Sequence, residues 1–181
     1  MVIGLPASYR NLIVTGYGAS NHPRLVSQMA SSLKRPFVDV EALIEQRLGE
    51  SMEETRQMYG ERHMKANIAE VMSNVLLYRG TVIRIHGSTL SSGDYLARMQ
   101  ETGIVVCLVA RLDAILQKMH LSFGARYHDP RERAMALGEL EREWAVRKLP
   151  GVMELDVTER DEAGTLQDVI SLWQTVALER S

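Results

Sequence analysis

The segment VTGYGASNHPRLV (14–26) has the outline of a phosphate-binding loop without its usual chemical groups. A short apolar stretch ends at Gly16, and an amphipathic stretch follows a few residues later. In loops of this outline, backbone N–H groups surround the phosphates, a lysine reaches the outer ones and a hydroxyl holds Mg²⁺. The glycine, lysine and hydroxyl positions here hold Asn21, His22 and Pro23. The chemistry to test is therefore phosphate binding with altered groups.

These replacements leave three interpretations of the loop. Imidazole is shorter than a lysine side chain and mostly neutral at pH 7, and proline has neither a hydroxyl nor an N–H. In the first interpretation, Asn21 caps a helix whose first turn contains Pro23, and no ligand binds. In the second, the N–H groups that remain around Gly16 and Gly18 bind a small anion, assisted by His22. In the third, the loop still binds a nucleotide.

The elements that position this loop alternate along the chain between strand and helix patterns. Apolar segments predict strands at 11–17, 36–40, 81–85, 104–110 and 152–157. Helical periodicity and capping residues predict helices at 23–33, 41–49, 51–59, 61–78, 94–101, 111–122, 131–148 and 165–179. This alternation is typical of a parallel sheet covered by helices on both faces. Ligands of such sheets bind beyond the carboxyl ends of the strands, here near Gly16, Asp39, His86 and Arg111.

Composition limits the classes of function. A chain of 181 residues with 45% hydrophobic and 24% charged residues is typical of one α/β domain, and we expect a single domain over 1–181. A net charge of −2 argues against a nucleic-acid-binding protein. The absence of a long apolar run or a leader-like start predicts a cytoplasmic protein without membrane contact. The single cysteine, Cys107, lies in the apolar segment IVVCLVA and is predicted to be a buried, inert side chain.

From about residue 11 to residue 178, the chain resembles the shikimate kinase family. Residues 11–54 match the family's opening without a gap, as a strand, the phosphate loop, a helix, F-x-D-x-D and I-E-x-x-x-G-x-S. Four further segments correspond in position to later family motifs. The motif G-E-x-x-F-R-x-x-E corresponds to MYGERHMKANIAEV, and the strand before G-G-G corresponds to GTVIRIHGSTL. The lid corresponds to GARYHDP, and R-x-P-L-Y corresponds to LEREWAV. The resemblance implies a three-layer P-loop fold, with a five-stranded parallel sheet in the order 2-3-1-4-5.

The resemblance also assigns candidate site residues, several of which depart from the family pattern. Asp39 corresponds to the acid linked to the magnesium shell, and Glu41 to the acid that binds substrate hydroxyls. Glu41 is also explained as a first-turn acid favoured by the helix dipole. The arginine that binds the substrate carboxylate corresponds to Lys65, and the glutamate of the same motif corresponds to Ile68. Lysine keeps the charge of arginine but loses its bidentate geometry.

The remaining candidate residues come from the third strand exit and the second half of the chain. His86, Gly87 and Ser88 replace G-G-G, so side chains enter a place where the family has only backbone. The last substrate arginine corresponds to Arg142, which a solvent-exposed helix face also explains. The lid arginine corresponds to Arg126.

Arg84 is the least expected residue, because it interrupts the apolar strand TVIRI. A buried arginine needs a partner. In one interpretation Arg84 joins His86, Lys65 and Arg142 in a cationic cluster that binds a carboxylate or phosphate. In the other it forms a structural ion pair with Asp39.

Together these features predict a degenerate shikimate-kinase-like protein. It acts as a binding, regulatory or assembly protein and does not transfer phosphate. No cofactor and no metal site are expected. The alternative is an atypical kinase of shikimate or a related small molecule, which would use ATP and Mg²⁺. Expected partners are a small anion or hydroxy-acid, another protein or a second copy of the chain. Nucleic acids are not expected.

Overall fold

Five parallel strands form one sheet in the order β2-β3-β1-β4-β5, as predicted. The computed structural model describes residues 6–16 and 23–179, without the side chains of 118, 119, 122, 123, 126 and 127. The three central strands β1, β3 and β4 are buried along their whole length, which explains their continuous apolar sequences. The strands are β1 (Asn11–Gly16), β2 (Phe37–Asp39), β3 (Val82–Arg84), β4 (Gly103–Val109) and β5 (Met153–Asp156).

Helices cover both faces of the sheet. They are α1 (Pro23–Leu33), α2 (Val40–Leu48), α3 (Met52–Val75), α4 (Gly87–Leu90), α5 (Tyr95–Thr102), α6 (Leu112–Phe123), α7 (Pro130–Trp144) and α8 (Glu162–Glu179). On one face, Met29 of α1 and Trp173 of α8 pack against the strands. On the other face, Ile44 of α2 and Met72 of α3 do the same. The core is therefore two apolar layers separated by the sheet.

The capping residues act as the sequence predicts. Ser51 and Glu54 form a capping box at the start of α3, and Asp129 accepts a hydrogen bond from the backbone N–H of Arg131 at the start of α7. Gly60 interrupts α3 with a φ of 80° and a ψ of 172°, as expected for the glycine between the two predicted helices. No helix in the described part of the chain is long and apolar enough to cross a membrane.

Two boundaries differ from the prediction in ways that affect the site. The second strand ends at Asp39 because its side chain accepts a hydrogen bond from Ala42 N at 3.4 Å, which starts α2 at Val40. The predicted helix 131–148 ends at Trp144 and continues as a 3-10 turn, Ala145–Lys148. The four-residue helix α4 was not predicted, since it is too short to show a helical period.

Candidate functional site

The ends of β2 and β3 bring an acidic and a basic side chain together. Asp39 and Arg84 are register partners on these adjacent parallel strands, so their side chains leave the sheet on the same face. Arg84 Nη1 lies 2.9 Å and 3.0 Å from the two carboxylate oxygens of Asp39. Arg84 is only 7% exposed. The structural ion pair, the second of the two interpretations of Arg84, is therefore the arrangement present.

Glu41 and His86 extend this pair into a four-residue network. Glu41, in the first turn of α2, accepts a hydrogen bond from the backbone N–H of His86 at 2.9 Å through Oε1. Its Oε2 lies 3.8 Å from Arg84 Nη1 and has no hydrogen-bond donor. Arg84 Nη2 lies 3.1 Å from His86 Nε2.

Burial makes Glu41 an unusual carboxyl group. The residue is 6% exposed, and this burial raises the pKa of its carboxyl above the ordinary range. The charge and the backbone N–H of His86, followed by the charge of Arg84, oppose the shift, while the charge of Asp39 adds to it. Desolvation outweighs the attraction, so the folded protein holds a proton on Glu41 more readily than the unfolded chain does.

Replacing Glu41 with glutamine should therefore reduce the loss of stability that accompanies rising pH. A carboxyl whose folded pKa is raised favours the folded state most below the unfolded pKa, about 4.3, and this contribution is lost as pH rises through the folded pKa. Urea unfolding from pH 5 to pH 8 should show wild type weakening relative to Glu41→Gln. Glu45→Gln, at an exposed position of α2, is the matched control and should follow wild type. Parallel curves for wild type and Glu41→Gln would contradict the prediction.

A second buried carboxylate, Glu143, reaches the same strand exit from the last turn of α7. It is 3% exposed and accepts hydrogen bonds from the backbone N–H groups of Gly87 at 2.5 Å and Ser88 at 3.3 Å. The Ser88 hydroxyl donates a third hydrogen bond, at 2.6 Å. A Cβ on Gly87 would lie 2.2 Å from the carbonyl oxygen of Glu143, so only glycine allows this approach.

The described end of the loop segment has a structural explanation that needs no ligand. Gly16 has a φ of 108°, and a Cβ there would lie 2.2 Å from the carbonyl oxygen of Leu108 on β4. Pro23 is the first residue of α1, a helix start that all three interpretations of the loop share. Gly18, Asn21 and His22 lie outside the described residues, so their roles stay predictions.

The other candidate residues lie on helices and differ in their burial. Lys65 on α3 and Arg142 on α7 are exposed, and Ile68 packs against the core. Within the predicted cationic cluster, Arg84 contacts His86, and the acidic side chains Asp39 and Glu41 lie beside Arg84. The side chain of Arg126 is not described. The described residues contain no group of three or more His, Cys, Asp or Glu side chains that could hold a metal ion.

Sequence reasoning missed Glu143, which contacts the strand exit in place of its neighbour Arg142. The segment ELEREW is typical of a solvent-exposed helix face, and the family pattern assigns its arginine, Arg142, to the substrate site. The only available signal was the position itself: Glu143 lies three residues after Leu140, which is buried, so both residues lie on the inner face of α7.

Comparison with known proteins shows which family the chain is similar to. The family model "Shikimate kinase" matches residues 24–156, a range that begins just after Pro23 and leaves out residues 14–23 of the loop segment. The curated shikimate kinase of Geobacter sulfurreducens is 27% identical over 117 residues, 65% of each chain. That of Thermoanaerobacter pseudethanolicus is 21% identical over 110 residues, 61% of this chain and 64% of the relative. The matches thus span slightly less than two thirds of these relatives.

Solved structures of the same family share the fold. Shikimate kinase from Bacteroides thetaiotaomicron superposes with a TM-score of 0.72 at 18% identity, covering 92% of this chain and 97% of that chain. Shikimate kinase from Acinetobacter baumannii in complex with shikimate gives a TM-score of 0.72 at 16% identity, covering 92% and 93%. The family model covers most of the sequence, and the strand order is the one that the resemblance implied. The chain therefore belongs to the shikimate kinase family.

Proposed function

We propose that this chain is a non-catalytic member of its family, a binding protein that does not transfer phosphate from ATP. The observation that carries the proposal is the ion pair between Arg84 and Asp39. By the family resemblance, Asp39 belongs to the shell of the magnesium ion. Here the Arg84 guanidinium lies within hydrogen-bond distance of both oxygens of that carboxylate.

A metal ion at Asp39 would have to displace this guanidinium or share the carboxylate with it. Two cations beside one carboxylate repel each other, and the repulsion is strong in a buried site of low dielectric. The arginine cannot simply be left without a partner either, because a buried unpaired charge is costly. The resident cation therefore works against Mg²⁺ at this position, independently of the replacements at His22 and Pro23 in the loop.

The ligand class of the proposed binding protein is a small hydroxy-acid or another small anion. One relative with the same fold has been solved in complex with shikimate, which is such a compound. In this chain, Glu41 supplies a buried acceptor oxygen without a donor at the strand exit. A ligand hydroxyl is a suitable donor for that oxygen, since a buried carboxylate oxygen gains from each hydrogen bond it accepts.

The second candidate function is an atypical shikimate kinase. It is favoured by the presence of both acidic side chains, Asp39 and Glu41, at one sheet edge, and by the names of the curated relatives. In this case Arg84 would leave Asp39 when ATP–Mg²⁺ binds. The two candidates therefore differ in one measurable property, the affinity for ATP–Mg²⁺ and the turnover that follows.

Calorimetric titration with ATP–Mg²⁺, ADP and shikimate separates the two candidates. We expect no saturation at millimolar ATP, which corresponds to a binding free energy weaker than about −4 kcal/mol. A coupled assay with ATP and shikimate together should show ADP release at background. The shikimate kinase of Geobacter sulfurreducens, run in parallel, controls for the assay. A micromolar Kd for ATP–Mg²⁺ with shikimate-dependent ADP release would establish the atypical kinase instead.

A further inference from the structure

Two histidines lie side by side where the chain turns from α6 to α7. His120 is in the last turn of α6, and His128 ends the 3-10 turn Gly124–His128 that precedes α7. Their ring centroids are 5.4 Å apart, and the ring planes are inclined at 83°. Both residues are exposed. The fold therefore brings two imidazoles from separate elements together at a position that solvent and small ions can reach.

The separation of the rings suits two imidazoles bound to one metal ion. Histidine nitrogen binds Zn²⁺ at about 2.0–2.1 Å, with tetrahedral coordination. At that bond length and angle, the centroids of two imidazoles on the same ion lie about 5.2 Å apart. The observed 5.4 Å is close to this value. Binding requires only rotations that direct one nitrogen of each ring at a common point, and exposed side chains rotate readily.

The type of ligand also selects the metal. Imidazole is a good ligand for Zn²⁺, Cu²⁺ and Ni²⁺, whereas Mg²⁺ prefers carboxylate, carbonyl and water oxygens. Within the described part of the chain, no third His, Cys, Asp or Glu side chain completes a metal-binding group with this pair. Water would therefore fill the other coordination positions, which the exposure of both histidines allows. A site of this kind would bind Zn²⁺ in the presence of Mg²⁺.

We propose that His120 and His128 form a two-histidine Zn²⁺ site that ties the end of α6 to the segment before α7. The ion would add a second link to the apolar packing of the two helices, which includes Ile115 of α6 and Leu140 of α7. The site goes beyond the proposed binding function. It shares no residue with the network around Arg84, so each can be tested without the other.

Calorimetric titration with ZnCl₂, without nucleotide, tests the site in wild type, His120→Ala, His128→Ala and the control His63→Ala. His63 is exposed on α3, where it contacts Tyr59 and Asn67 and no second histidine. At pH 7.5, where an ordinary imidazole is mostly neutral, wild type and the control should bind one Zn²⁺ per chain with equal affinity.

The variants that lose one imidazole of the pair should bind Zn²⁺ at least about tenfold more weakly, since removing even an outer partner of a metal ligand costs about 10–100-fold in affinity. MgCl₂ added before the titration should not compete. Equal Zn²⁺ affinities in all four proteins, or no saturation by wild type, would overturn the proposal.

Thermal unfolding of the double variant His120→Ala/His128→Ala gives a second measurement. ZnCl₂ should raise the Tm of wild type, because an ion that binds the folded state stabilises it, and EDTA should reverse the rise. The double variant should keep the metal-free Tm of wild type, since both side chains are exposed, and should lose the rise with ZnCl₂. A rise that persists in the double variant would assign the ion to other side chains and would also overturn the proposal.

Discussion

Replacing Arg84 with methionine should lower the free energy of unfolding by about 3–5 kcal/mol at pH 8. Methionine keeps most of the apolar stem but removes the cation between Asp39 and Glu41, which are both largely buried. Two carboxylates then face each other without a countercharge. The loss should be smaller at pH 5, because protonating a buried carboxyl removes the charge that has no partner. Urea unfolding at the two pH values measures both effects.

A control and a double variant show whether the pairing itself is responsible. Arg111 is exposed and contacts Asp113 and Glu159 on the surface, so Arg111→Met should cost no more than about 1 kcal/mol. Asp39→Asn combined with Arg84→Met should recover part of the stability, since the amide oxygen can still cap α2 while one buried charge is gone. An Arg84→Met loss as small as that of the control would contradict the buried-pair account.

Restoring the family pattern in the loop should improve nucleotide binding without restoring turnover. The triple variant Asn21→Gly, His22→Lys and Pro23→Ser regains a lysine, a hydroxyl and one backbone N–H. Hydrogen bonds to charged groups contribute about 1.5–3 kcal/mol each, so ATP–Mg²⁺ should bind at least tenfold more tightly. Calorimetry on the triple variant and wild type measures the gain. An unchanged affinity for ATP–Mg²⁺ would contradict the prediction.

Turnover should stay at background in this variant for a separate reason. Phosphoryl transfer also needs an acceptor held in line with the outer phosphate. In this protein Arg84 is paired with Asp39, and Glu143 accepts hydrogen bonds from the backbone N–H groups of Gly87 and Ser88. Robust shikimate-dependent ADP release by the triple variant would show that only the loop half of the site had diverged. The preferred function would then change to a recently disabled kinase.

The sequence predicts the scaffold well because its signals are local. Continuous apolar segments mark the buried parallel strands, and side chains such as Ser51 and Asp129 mark helix starts through hydrogen bonds to nearby N–H groups. The pairing of Arg84 with Asp39 was predictable as one of two alternatives, since a buried arginine requires a partner. The choice between them depended on the register of β2 and β3, which sets residues 45 positions apart opposite each other.

The part of the site that sequence reasoning missed depends on tertiary geometry. Whether Arg142 or Glu143 faces the sheet is decided by the rotation of α7 about its axis, and adjacent residues on a helix point about 100° apart. Helix α4 has only one turn, so no period can be seen in its sequence. The buried polar network at the exit of β3 combines residues from α2, β3, α4 and α7, and no short motif contains all of them.

Cys107 gives this protein a built-in reporter of its own opening. It is the single cysteine of the chain, it is fully buried in β4, and burial raises the pKa of its thiol to about 12. A thiol reagent can therefore react only with molecules whose central strand has become accessible to solvent. Because the Cys107 side chain packs in the apolar layer with residues of α2 and α3, that exposure requires the helices on this face to move away from the sheet. Labelling rates under native conditions would thus rank the opening free energies of all the variants above without denaturant or added dye.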